Sequence, residues 1–282
     1  SNYLGVGTHL KFYIGQGGAY YDITPLRATT SAGDVTFAAT NGSSTVTIAD
    51  TAHGALVNDF VTFSGAASLG GTIIAAVLNQ EYQIASVTSA NAYTITAKDT
   101  SGDTVTANAS DSGSGGGSTV GAYQISVGYS IAVPMIGWSG GTWGGGTWGN
   151  GTSSVQSLRL WSQSTFGEDL VFASRGGALY YWDSSADTST RGVLVSSLGS
   201  ASDVPTVTNT VLVSDVSRFV FCFGANTINT TVQDPLLIRW SDQESVVDWT
   251  PAATNQAGSL RLSQGSSIIT AGQARQEMLE RP

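Results

Sequence analysis

The chain has 282 residues, of which 35 are glycine, 41% are apolar and 11% are charged. This share of apolar side chains can build a core and excludes a disordered protein, and no apolar run approaches the ~18 residues of a membrane-spanning helix. The net charge of −9 argues against a surface that grips nucleic-acid phosphates, but it allows a smooth wall along which DNA slides. The glycine content favours a turn-rich β protein, because glycine adopts the positive φ angles that tight turns need.

The first 30 residues predict a β-hairpin. Residues 10–14 and 19–23 are apolar runs on either side of the glycine-rich segment 15–18, which is the pattern of two antiparallel strands and their turn. Pro25 ends the pairing, because proline has no backbone N–H to donate. We assign residues 1–30 to the first part of a β platform.

Residues 31–118 predict a separate small β domain inserted into that platform. Short strands are expected within 44–48, 60–65, 81–87 and 93–96, and this spacing is typical of a small β-barrel or sandwich. Insertions of this kind are tolerated at exposed loops whose ends lie close together.

The inserted domain ends in a flexible glycine/serine linker at 108–118. The platform is expected to resume at 119–282, beginning with a strand at 123–128. A propeller has four or more blades, and the sequence shows only about three or four hairpins. Either the platform continues beyond residue 282, or the hairpins belong to a simpler sandwich.

The most unusual segment is 137–151, in which Trp138, Trp143 and Trp148 recur at five-residue spacing among glycines. We interpret it as a subunit-contact loop, pinned by its indoles onto the body or onto a neighbouring subunit, because each indole needs a surface to cover it. The alternative interpretation is a platform on which sugars or bases stack.

A strand–turn–strand unit then occurs twice, at 169–183 and 218–242, and the second strand of each copy runs into a tryptophan. Repeated antiparallel units of this size indicate the blades of a β-propeller. The predicted fold class is therefore all-β: a propeller-like β platform with an inserted small β-barrel or sandwich domain. Four tryptophans are assigned structural positions in its turns and strands: Trp161, Trp182, Trp240 and Trp249.

The cysteine and the histidines indicate no metal or cofactor site. Cys222 is the single cysteine, which excludes an internal disulfide, and its apolar surroundings in sequence predict a small buried hydrophobic residue. His9 and His53 are far apart, and no spacing of Cys, His and Asp matches a metal site. For His53 we weigh a ligand or acid/base role against a turn residue whose ring bonds the local backbone, and we favour the turn residue.

The acidic residues do not predict catalysis. Glycoside hydrolysis needs two carboxylates that face each other across a cleft, whereas the neighbours Glu168 and Asp169 on a strand would point to opposite faces. Asp242, Glu244 and Asp248 lie in a segment that resembles the Asp-box turn of propeller sialidases, without its central glycine. That turn is structural in its family, so we predict that the chain is not an enzyme.

Several motifs together resemble those of tailed-phage virion proteins. They are the segments 5–13, 21–25, 137–151, 158–162, 166–170, 238–243, 248–251 and 255–258, and the segment 53–65 is similar to a small β-module that recurs in phage tail proteins. The nearest role is that of the nozzle, or tail tubular protein, of short-tailed phages.

This resemblance implies a location in the virion tail and a homo-oligomeric ring, a hexamer in that family, below the portal and adaptor proteins. Each subunit would be built on a propeller-like β platform. The ring would form the channel for DNA ejection, with DNA only as passing cargo, and would carry tail fibres or spikes. Low charge content with a negative sign suits such a conduit, because phosphates are not held at its wall.

Two further functions compete with this structural one. The alternative is a carbohydrate-binding tail fibre or tip module for host attachment, with Trp138, Trp143 and Trp148 as sugar platforms. A propeller glycosidase or lyase that acts on host polysaccharide is disfavoured, because the sequence offers no convincing acid/base pair.

Overall fold

The computed structural model describes residues 3–109, 114–126 and 160–272, and within them it confirms the all-β prediction. The strands of these residues form five antiparallel sheets, and the short segment Ala75–Leu78 is an α-helix, α1.

The chain divides into two compact units. The central unit is Leu26–Leu158, and the outer unit combines Ser1–Pro25 with Arg159–Pro282. The outer unit therefore begins and ends the chain.

The outer unit contains three sheets, in each of which every strand pairs with the next one in sequence. This meander is the arrangement of propeller blades. The first sheet consists of β1 (Leu4–Gly7), β2 (Phe12–Gln16) and β3 (Ala19–Asp22). The second consists of β12 (Trp161–Phe166), β13 (Asp169–Ser174), β14 (Leu179–Trp182) and β15 (Val193–Leu194). The third consists of β16 (Thr210–Val213), β17 (Val220–Phe223), β18 (Leu237–Trp240) and β19 (Gly258–Arg261).

The central unit contains two four-stranded sheets, in the orders β5-β6-β10-β9 and β4-β11-β7-β8. Their strands are β4 (Leu26–Thr29), β5 (Thr36–Ala39), β6 (Thr45–Ala49), β7 (Phe60–Ser64), β8 (Glu81–Gln83), β9 (Ser86–Ser89), β10 (Ala92–Thr96) and β11 (Val120–Gln124). Alternate residues point to one core shared by both sheets, where Phe37 and Phe63 meet edge to face with ring centroids 5.0 Å apart. This is a sandwich, and the described residues form no closed barrel.

The boundaries expected at residues 31 and 118 stay predictions, but the strand near residue 123 is placed differently from the expectation. It was expected to resume the platform, whereas β11 pairs with β7 and with β4 in the central unit. The physical reason is that β11 lies between β4 and β7, so that its backbone groups are hydrogen-bonded on both sides by strands of the sandwich.

In the outer unit the second sheet packs against the other two, one on each face. On one face Phe172 stacks on Phe12 of the first sheet, with ring centroids 4.5 Å apart. On the other face Val171 and Ala173 share a buried core with β16 and β17 of the third sheet, including Val211 and Cys222. The second sheet is therefore sandwiched between the first and the third.

Strand β12 also joins the three sheets through its side chains. The Trp161 indole and the Gln163 amide donate hydrogen bonds to the backbone oxygens of Thr8 and Gly5, over 2.6 and 3.0 Å. On its opposite side, the hydroxyl oxygens of Ser162 and Ser164 accept the N–H groups of Val211 and Val213 over 2.9 and 3.0 Å. Side chains of β12 thus bind backbone groups of β1, of Thr8 after it and of the edge strand β16.

The contact between β1 and β12 leaves no room for a side chain at Gly7. A Cβ atom there would lie 2.4 to 2.8 Å from the Cδ1, Cγ and Cβ atoms of Trp161. We expect Gly7→Ala to lower the free energy of unfolding by about 1–3 kcal/mol, because the indole must shift. Chemical denaturation tests this, with Gly199→Ala as the control, since nothing lies within 4 Å of the added atom there. Equal stability of the two variants would contradict the packing.

Candidate functional site

The loop that carries Trp138, Trp143 and Trp148 lies outside the described residues. Its assignment as a subunit-contact loop stays a prediction. The other candidate features are the remaining tryptophans, the charged groups and the sheet faces.

Trp182 and Trp249 are buried in the outer unit. The Trp182 indole donates to the backbone oxygen of Thr190 over 3.0 Å, and the Trp249 indole donates to that of Val246 over 2.8 Å. Each indole thus fills a core position while its N–H holds an adjacent loop.

Trp161 and Trp240 are partly exposed. Trp161 contacts Phe12, with ring centroids 5.0 Å apart, in the junction between the first two sheets. Trp240 lies across Gly258 of the edge strand β19, where an added Cβ atom would come within 2.5 Å of the indole, and it donates to the backbone oxygen of Gln256 over 2.7 Å. Both indoles therefore span neighbouring strands.

The carboxylates around the Asp-box-like turn make local hydrogen bonds. Asp242 accepts the N–H of Gln256 over 2.8 Å. Asp248 accepts the Ser202 hydroxyl over 2.8 Å and the Asn255 amide over 3.1 Å, and these two bonds, the Ser202 one above all, lower its pKa. This use of the acidic groups is that of a structural turn.

The pair Glu168 and Asp169 is equally local. Asp169 accepts the N–H of Ser184 over 2.9 Å and the hydroxyl of Tyr181, whereas Glu168 is exposed at the turn. Burial and the neighbouring Asp169 raise the pKa of Tyr181. The two carboxylates do not face each other across a cleft.

His53 makes the backbone contacts that the turn interpretation predicts. Its Nδ1 accepts the N–H of Ala55 over 3.0 Å, and because the backbone oxygen of Ser89 can only accept, Nε2 donates to it over 3.1 Å. Both ring nitrogens are therefore occupied by backbone, which leaves neither for a ligand.

A buried polar chain beside His53 was not predicted from the sequence. The hydroxyls of Tyr93 and Tyr123 lie 2.8 Å apart, and Tyr123 donates to the Asp50 carboxylate over 2.6 Å. Burial raises the pKa of both tyrosines. All three groups lie in the core of the sandwich, where they fix β6, β10 and β11 relative to one another.

Cys222 is fully buried on β17, as predicted, and burial raises its pKa to about 12. We expect the native thiol to resist alkylation at about pH 8, near the ordinary thiol pKa, because the thiolate is the reactive form. Unfolding should restore labelling, which mass spectrometry measures. Equal labelling rates in native and denatured protein would contradict the burial.

The third sheet presents an apolar outer face, which we call the aromatic face. It consists of Leu212, Phe219, Phe221, Phe223, Ile238, Trp240 and Leu260. Phe221 lies 6.3 Å from both Phe223 and Trp240, between ring centroids. None of these side chains belongs to the core shared with the second sheet, and all remain partly exposed. An apolar surface of this kind marks an interaction site more often than a single exposed hydrophobic residue does.

A cavity of about 620 Å³ opens between the loops at one end of the third sheet. Its lining is mainly small and hydroxylic, with Asp203, Thr206 and Thr230 among the polar residues. Asp203 is held by the fully buried Arg239, whose Nη2 lies 2.7 Å from the carboxylate. The charge of Asp203 is thus already paired within the protein.

The part of the chain that the structure describes contains no group of three or more His, Cys, Asp or Glu residues that could hold a metal ion. Among its helices, none has the length and hydropathy needed to cross a membrane.

No protein-family model matches the sequence, and no curated protein matches it. Among solved structures, the chain is similar to the phage phi92 endosialidase, with 13% sequence identity and a TM-score of 0.24. The matched region covers 92% of this chain and 34% of that one, so the chain spans about a third of the length of that protein.

Proposed function

We propose that the chain is a structural subunit of a phage tail, a nozzle or tail-tube component that forms a ring-shaped conduit for DNA ejection. The ring, a hexamer by resemblance to the nozzle family, would be a platform for fibres or spikes and would adjoin the adaptor and portal proteins. The main support for this proposal is the aromatic face. The three sheets of the outer unit stack on one another, and the third leaves this apolar face exposed, where it is available for contact with another subunit.

The chemistry of the described residues supports a structural role. The carboxylates that invited a glycosidase interpretation are held by turns, and His53 is held by backbone on both ring nitrogens. The net charge of −9 suits a wall that DNA passes, because a negative surface does not retain phosphates.

The location of the chain in the phage particle tests this proposal. A gold-labelled antibody raised against the purified chain should mark the axis of the tail in electron micrographs. Label at the distal ends of fibres would instead support the carbohydrate-binding attachment module. Particles that carry no label, although the antibody recognises denatured virion protein, would contradict an exposed tail component.

A further inference from the structure

We propose that the aromatic face is covered by the outer face of the first sheet of a second copy of this chain. The contact is head to tail, so each subunit contributes two different faces. This inference rests on the proposed function and names the surface by which the ring assembles.

The aromatic face has the construction of an interior sheet face. Two cross-strand rows run over it, Leu212–Phe221–Trp240–Gly258 and Thr210–Phe223–Ile238–Leu260. All eight residues are uncharged. The indole of Trp240 lies over Gly258 of the edge strand β19, which has no side chain of its own. Aromatic and aliphatic cross-strand neighbours of this kind stabilise sheets and enrich the centres of interfaces.

The stacking within the outer unit shows what covers such a face. The first sheet covers one face of the second, and the second sheet covers the inner face of the third. In both junctions the partner of an apolar sheet face is another antiparallel sheet of the same unit. By the same arrangement, the first sheet of a second copy would cover the outer face of the third sheet.

The outer face of the first sheet is suited to that contact. The register places Leu4, Val6, Tyr13 and Tyr20 on this face, together with Asp22 opposite Tyr13. The charge of Asp22 is already paired with Lys11 over 2.9 Å and with Arg191 over 3.4 Å. Leu4 and Tyr20 are 57% and 63% exposed. The Tyr20 ring lies against Gly15, where an added Cβ atom would be 3.0 Å from it.

A head-to-tail contact covers both exposed faces, whereas two aromatic faces paired with each other would leave both first sheets uncovered. Contacts between different faces build closed rings when the rotation closes, which is the assembly that the proposed function requires. Four short strands give a contact smaller than the ~800 Å² per partner of a stable complex, so we expect assembly to depend on concentration.

Two variants at exposed positions separate the faces. Leu260→Glu places a charge on the aromatic face, and Tyr20→Glu places one on the outer face of the first sheet, while both side chains are more than half exposed and tolerate substitution. Val216→Glu is the control, because Val216 is 89% exposed and lies on neither face. Unchanged circular dichroism and thermal midpoints establish that each variant is folded.

Light scattering over a range of concentrations gives the readout. We expect the mass of the wild type and of Val216→Glu to rise with concentration, and each face variant to stay at the 29.0 kDa monomer. In an equimolar mixture of the two variants, the intact aromatic face of Tyr20→Glu can still bind the intact first sheet of Leu260→Glu. The mass should therefore rise to that of a dimer and no further.

Wild-type protein that stays monomeric at every concentration would overturn the proposal. Loss of assembly in Leu260→Glu with full assembly in Tyr20→Glu would also overturn it, because that pattern requires a contact without the first sheet. Face variants that assemble like the wild type would refute the assigned faces and leave the tail location, tested by the antibody, unaffected.

Discussion

Trp249→Ala should lower the free energy of unfolding by about 3–5 kcal/mol, the cost of truncating a fully buried tryptophan. Trp249 is completely buried in the core that the second and third sheets share, and its indole N–H holds the backbone of Val246. Truncation leaves a cavity between the two sheets and frees the Asp-box-like turn. Urea denaturation measures the change.

Trp249→Phe provides the graded comparison, because a phenyl ring refills part of the cavity but cannot donate to Val246. The free energy of unfolding of Trp249→Phe should lie between those of the wild type and of Trp249→Ala. A loss below about 1 kcal/mol for Trp249→Ala would show that the junction between the second and third sheets does not depend on this side chain.

Asp203→Asn should lower the free energy of unfolding by about 3–5 kcal/mol, because it leaves the charge of Arg239 buried without its partner. The Arg239 side chain is fully buried, and its Nη2 donates to the carboxylate of Asp203 over 2.7 Å. Asparagine tolerates the left-handed backbone at this position, where φ is 44°, so the substitution tests charge rather than backbone strain.

The double variant Asp203→Asn/Arg239→Met should be more stable than Asp203→Asn alone, because methionine removes the unpaired charge. Asp234→Asn is the matched control: its partner Arg261 is 58% exposed, and surface ion pairs contribute little. If Asp203→Asn and Asp234→Asn had equal effects on stability, the buried ion pair would not be a determinant of the third sheet.

Local patterns in the sequence predicted what depends on neighbouring residues. The hairpin of β2 and β3 turns at Gly17 and Gly18, whose φ angles of 60° and 86° favour glycine, and it was expected from the glycine-rich segment. The repeated strand–turn–strand unit corresponds to β13 with β14 and to β17 with β18.

Long-range partners could not be read from such patterns. Asp203 and Arg239 are 36 positions apart, and Tyr123 and Asp50 are 73 apart, so neither pair leaves a periodic signal. Strand β11 looked like a resumption of the platform because its partner β4 is the first strand of the sandwich and lies far away in sequence. The aromatic face was equally hidden, since Phe221 and Trp240 become neighbours only through the strand register.

Electron microscopy of the purified wild-type chain, at concentrations where light scattering shows assembly, tests whether the chain forms a ring. We expect closed rings with a central opening, with six subunits in each by resemblance to the nozzle family. Open filaments or compact dimers without an opening would contradict a ring-forming conduit subunit, as would a monomer at every concentration.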